Sequence, residues 1–165
     1  MKTTIDKIKV PFNGTQVTAY KLTVASEICI DIDTAWEKVK TSALLEFVTK
    51  GKVMFKPTGG QFPEIWKQES TITTKILLYG FIPFGGLHTL NFEKIDNDKK
   101  EIFTREFDCA AKIWNHKISM QKLSENSIYY ADEILIFGGI LTSVITWWAK
   151  SFYMHRQKRW QLITK

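Results

Sequence analysis

The sequence predicts an α+β fold: a curved antiparallel sheet of about six or seven strands wrapped around a long C-terminal helix, with one or two short helices after the first strand. Three observations predict it. Between Gly51 and Phe137 short alternating runs are set off by turn residues, with no sustained 3.6-residue period; after Gly138-Gly139 that period returns; and 165 residues, 44% of them hydrophobic, suffice for one core.

In chain order, residues 1–15 alternate charges with single apolar residues and read as a loosely ordered N-terminal extension of a single domain spanning 1–165. They lack the continuous apolar stretch of a secretion signal, and the expected compartment is the cytoplasm. Val17–Ile30 is rich in β-branched types and reads as a long first strand. Thr34 stands three positions before Glu37, the spacing of a capping box, and Asp33 is an equally good cap. Trp36, Val39, Ala43/Leu44 and Phe47 then recur at helical spacing to about Lys50, as one helix or two.

The clearest strands that follow are Thr71–Ile82, Leu87–Ile95, Glu101–Ala110, Ile113–Leu123 and Ser127–Phe137, with turns at Pro57-Thr58-Gly59-Gly60 and Pro83-Phe84-Gly85-Gly86. A helix from about Ile140 to Ile163 would be roughly 36 Å long. Its predicted inner stripe is Leu141, Ile145, Trp148, Phe152 and Ile163, flanked by Val144 and Leu162. The uncharged run Ile134–Ala149 is too short and too interrupted by glycine to span a membrane, and reads as a strand turning into a buried helix.

The net charge of +6 is local. Lys150, Arg156, Lys158, Arg159 and Lys165 close the chain with no acid among them. Cations there complement the negative end of a helix dipole, and His155, Arg156 and Arg159 either snorkel past the sheet's rim, which is the expectation, or face acids across a cavity mouth. No basic stripe extends over the rest of the chain, so no nucleic-acid partner is expected; transient contact with a membrane surface remains open, stable insertion does not. Cys29 and Cys109 are far apart and read as buried free thiols. His88, His116 and His155 lack metal-ligand spacing, so no metal and no cofactor is expected. The paired glycines lack the lysine and helix start of a phosphate loop.

The candidate chemistry lies in two adjoining strands. Alternation puts Trp114, His116, Ile118 and Met120 on one face, and Ile128, Tyr130, Asp132, Ile134 and Ile136 on one face of the next strand. A hairpin at Ser124-Glu125-Asn126 brings Asp132 opposite His116 or one step diagonal to it. Two readings stand: a structural hydrogen bond, or an acid/base pair that also anchors the polar end of a ligand. In the strand Glu101–Ala110, alternation with Phe103 and Phe107 places Arg105 inward and Glu106 outward.

The segments DTAWEKV, GFIPFGGLH, TREFD, IWNHKI and YYADEILIFGGILTSVITWWAKSFYMHRQKRW, in that order, resemble the START-like or SRPBCC helix-grip superfamily, nearest its polyketide cyclase/dehydrase-like and ligand-binding branch. The resemblance runs from about Val24 and implies a deep, largely apolar cavity between sheet and C-terminal helix. By position, Trp114, His116 and Asp132 occupy places where the family's recurring polar residues lie, and Phe152–Trp160 matches its recurring helix end. The implied partner is an apolar small molecule: a lipid, quinone, polyketide or aromatic metabolite. Trp66, Phe81, Trp114, Ile118, Tyr130, Trp148 and Phe152 would supply the walls, with His116, Asp132 and the Tyr130 hydroxyl orienting one end. The alternative is a cyclase or dehydratase in which His116 is the base and Asp132 fixes its tautomer.

Overall fold

A computed structural model describes residues 1–163; Lys165, counted above among the C-terminal cations, lies outside the described residues. The elements are β1 (Lys2–Phe12), β2 (Thr15–Ile28), α1 (Ile32–Val39), α2 (Ser42–Thr49), β3 (Val53–Pro57), β4 (Ser70–Leu78), β5 (Ile82–Asp96), β6 (Glu101–Phe107), β7 (Ile113–Ser124), β8 (Ser127–Phe137) and, after a 3-10 turn at Gly139–Leu141, α3 (Thr142–Trp160). The strands form one antiparallel sheet in the order β1-β2-β8-β7-β6-β5-β4-β3. The fold is thus α+β, with the long C-terminal helix laid across the sheet.

Eight strands replace the expected six or seven, because residues 2–12 are not a loose extension. They pair with β2 along their whole length, from Lys2 opposite Ala25 to Phe12 opposite Thr15. Single apolar residues between charges are what a two-sided, largely exposed edge strand requires, and the hairpin turn at Asn13-Gly14 takes two positive-φ residues.

Two short helices follow β2. The first is capped by Asp31 rather than by Asp33 or Thr34: its carboxylate accepts the Thr34 N–H at 2.8 Å. The second is capped by Thr41, whose hydroxyl accepts the Leu44 N–H at 3.2 Å. Pro83 to Gly86 is no turn. It lies within β5, where Gly85 and Gly86 form a bulge, since Lys75 pairs with Leu87 while the next residue, Ile76, pairs with Phe84. The reversal occurs earlier, where Tyr79 and Gly80 both take positive φ.

Helix α3 has 19 residues, about 28 Å, shorter than the sequence suggested. Its inner face is also rotated from the predicted stripe: Ile145 and Phe152 are buried and Trp148 half-buried, but Leu141, Val144 and Leu162 are exposed. Thr142, Thr146, Arg156 and Gln157 are buried instead. These polar residues lie against partners inside the fold, so hydrophobicity alone reports the wrong stripe. Arg156 therefore does not snorkel, whereas His155 and Arg159 bond to the α2 end, donating to the carbonyls of Lys50 at 2.9 Å and Phe47 at 2.6 Å.

The run Ile134–Ala149 is a strand passing into a helix, and no helix among the described residues is long and apolar enough to cross a membrane. Gly138 makes that passage. A Cβ there would stand 2.5 Å from Ile145 Cδ1 and 2.6 Å from the Ala110 carbonyl oxygen. Both cysteines are free and exposed rather than buried, because each falls just past a strand end where the chain leaves the sheet.

Candidate functional site

The concave face of the sheet, α2 and α3 enclose a cavity of about 90 Å3. That is less than the roughly 150 Å3 of an apolar cavity that takes up benzene, so a single aromatic ring enters only as the wall gives a little. Its wall is mostly apolar. Of the residues expected to line it, Trp66, Trp114, His116, Ile118, Trp148 and Phe152 do so.

Three do not. Phe81 sits at the β4–β5 turn with 74% of its surface exposed, displaced from the wall because the strand ends at Leu78 rather than continuing to Ile82. Tyr130 is fully buried behind the cavity, its ring centroid 5.7 Å from that of Trp160. Asp132 is also fully buried, screened from the cavity by His116.

The β7–β8 register explains the last placement. His116 lies opposite Ile134 and Asp132 opposite Ile118, so the pair meets on the diagonal, with His116 Nε2 2.8 Å from Asp132 Oδ1. Asp132 also accepts from the Tyr130 hydroxyl at 3.3 Å and from Gln157 Nε2 at 3.1 Å, and Arg156 Nη2 stands 3.8 Å away. Gln157 accepts from Ser26 Oγ at 2.6 Å and donates to the Val24 carbonyl, so β2 and α3 are joined through it. Burial alone would raise the pKa of Asp132, but the Arg156 charge and the bond from His116 hold it below its ordinary value. Arg156 is held above its own: burial works against its charge, but Asp132 together with Tyr130, Tyr153 and Glu106 prevails.

A second polar cluster was not found in the sequence. His88 on β5 is buried between two carboxylates, with Nδ1 2.9 Å from Asp108 Oδ2 and Nε2 3.1 Å from Glu106 Oε2. Burial disfavours its charge, yet the bonds to Asp108 and Glu106 prevail and raise its pKa from 6.5 to about 9. Glu106 is likewise held below its usual value, burial being overcome by His88. Glu106 Oε1 accepts from Thr104 Oγ1 at 2.6 Å, and Asp108 Oδ1 accepts the N–H groups of Ala110 at 2.8 Å and Ala111 at 2.7 Å.

This cluster corrects the orientation of β6. Ile102, Thr104 and Glu106 face inward; Arg105 faces solvent and pairs with Glu93. No bulge interrupts β6 against β7: Thr104 stands opposite His116 and Glu106 opposite Trp114, so all share the inner face. The misleading signal was Phe107, an exposed aromatic. The alternation of Leu90 and Phe92 with His88 on β5 was the available clue to His88.

His88, Thr104, Glu106, Asp108, His116 and Arg156 thus form one polar band in an otherwise apolar wall. Above it, burial pushes the Tyr153 phenol well up in pKa, so it stays neutral, accepting from Trp114 Nε1 at 3.1 Å. The arrangement can hold an apolar body while presenting charged and hydrogen-bonding groups to one part of it. Among the described residues, no group of three or more His, Cys, Asp or Glu is disposed to hold a metal ion.

A sheet curled about a C-terminal helix, with a helix pair after the second strand and a cavity between, is the helix-grip architecture, and solved structures of that fold superpose on this one. A START superfamily protein from Mycobacterium smegmatis matches with a TM-score of 0.64 at 11% identity, over 87% of this chain and 96% of its own. The major latex-like protein 151 of Panax ginseng matches at 0.61 and 13%, over 89% and 98%. The Zhui aromatase/cyclase of a Streptomyces species matches at 0.57 and 9%, over 88% and 91%. No protein-family model and no curated protein matches the sequence. At such identities the likeness is one of fold.

Proposed function

We propose that this protein binds, sequesters or carries an apolar small molecule in the cavity between sheet and α3. The observation that carries the reading is the cavity itself: an apolar wall interrupted by one buried polar band. Its volume of about 90 Å3 is nearer to that of a single aromatic or quinone ring, for which the wall gives slightly, than to that of an extended lipid, which would require sheet and helix to part. The site of action we propose is the cytoplasm, with no more than transient contact at a membrane surface.

Native mass spectrometry of the protein purified from cells tests the proposal. The expected spectrum shows a noncovalent small-molecule adduct that disappears on denaturation. A bare polypeptide mass, with no uptake of single-ring aromatic compounds added afterwards, would count against it.

One observation favours a second reading, a cyclase or dehydratase-type enzyme. Because Nε2 of His116 is committed to Asp132, Nδ1 is the nitrogen left toward the cavity, where it would exchange a proton with a bound carbonyl compound. The aromatase/cyclase of the same fold supports it. Catalysis predicts that His116→Ala keeps ligand affinity and loses turnover; binding alone predicts that affinity changes and no turnover exists to lose.

A further inference from the structure

The hydrogen-bonding groups of the polar band have partners inside the protein except at two adjoining places, Arg156 and Nδ1 of His116. Both nitrogens of His88 and both oxygens of Glu106 and Asp108 have partners inside the protein. Arg156 does not close in this way. It lines the cavity, is only 7% exposed, and its buried Nε has no hydrogen-bond partner. Asp132 is 3.8 Å from Nη2, outside hydrogen-bond range, the faces of Tyr153 and Phe152 lie 5.0 and 5.8 Å from the guanidinium carbon, and Glu106 and Tyr130 also act on its charge. A buried guanidinium with an empty Nε is costly unless something completes it.

We propose that the ligand of this cavity is an aryl carboxylic acid whose carboxylate is held by the Nε side of Arg156, a reading that rests on the binding function proposed above. The guanidinium edge formed by Nε and an adjoining Nη matches the two oxygens of a carboxylate in one plane. His116 adjoins the same point, since its Nε2 and Arg156 Nη2 both approach Asp132 Oδ1. Its Nδ1 makes no hydrogen bond; it stands 3.9 Å from Glu106 Oε1 on β6, with Tyr153 and Arg156 facing the ring from α3 and Asp132 from β8.

Benzoate and its uncharged isostere benzamide, titrated into the isotope-labelled protein and followed by amide shifts of the cavity strands, test this. Benzoate is expected to bind about tenfold more tightly than benzamide, a difference that one bidentate charged contact supplies. In Arg156→Gln the preference disappears while benzamide still binds; in Arg156→Lys, which keeps the charge without the fork, it shrinks. Equal affinity of the wild-type protein for both compounds overturns the carboxylate assignment and leaves the binding function standing. Failure of both compounds to shift any cavity resonance overturns both.

Discussion

His88 is committed at both ring nitrogens to carboxylates, and a histidine in that position is an ion, not a neutral ring. The thermodynamic consequence follows from its raised pKa, about 9 against 6.5. Stabilisation from a raised base is complete below the unfolded value and is lost as pH rises through the folded one. Urea unfolding at about pH 6 and about pH 9.5 is therefore expected to show a loss of up to about 3 kcal/mol across that window. In Asp108→Asn the loss should be smaller; a wild-type curve flat between those values would refute the assignment. Asp132 and Glu106 act in the opposite sense, because their lowered pKa values give stability that persists above the ordinary carboxylate range and disappears as pH falls through the folded values. Asp132→Ala removes the shared partner of His116, Gln157 and Arg156, and is expected to cost about 3–5 kcal/mol in chemical denaturation.

At the scale of elements, the passage from β8 to α3 is the tightest point. Gly138 has no room for a methyl group, with Ile145 Cδ1 and the Ala110 carbonyl inside contact distance of any Cβ. The carbonyl belongs to a backbone anchored by Asp108 and cannot swing aside as a side-chain end would. Gly138→Ala is expected to destabilise by about 1–3 kcal/mol, as overpacking does, and to open the Ala110 and Ala111 amides to hydrogen exchange. Unchanged exchange there would show that the junction has slack.

The elements also show where sequence was readable. Trp114, His116 and Ile118 on β7, and Tyr130, Asp132 and Ile134 on β8, alternate cleanly because one face meets the core throughout, so their meeting could be read from parity alone. On β6 the same reasoning inverted the strand, since Phe103 and Phe107 point outward while a carboxylate points in, and only the partner cluster on β5 makes that tolerable. On α3 the buried Arg156 and Gln157 are polar, which conceals the inner face from any hydrophobic period. Of the polar band only His116, with Asp132 behind it, was therefore legible. The cluster of His88, Glu106 and Asp108 depends on two strands and a turn brought together only in three dimensions.

At the scale of the whole molecule, β1 covers one edge of the sheet. It carries Lys2, Asp6, Lys7 and Lys9 along a mostly exposed strand and includes Pro11, features that discourage further pairing. Removal of residues 1–12 would bare the edge of β2. The truncated chain is expected to self-associate in size-exclusion chromatography and to melt at a lower temperature than the full chain; a stable monomer would show that β2 needs no cover. The start of α3 presents the opposite situation, with Ile140 99% and Trp147 72% exposed.

The bond between β2 and β8 sets the order in which the chain can come together. Tyr20 pairs with Ile136 and Ile28 with Ile128, so the first hairpin and the two short helices wait on a strand made about a hundred residues later. While the polypeptide is still being synthesised, the exposed flank of β2 has nothing to dock on, and the long-range closure makes folding slow relative to helical chains of the same length. A nascent chain shorter than Phe137 is thus the form of this protein most in need of a chaperone.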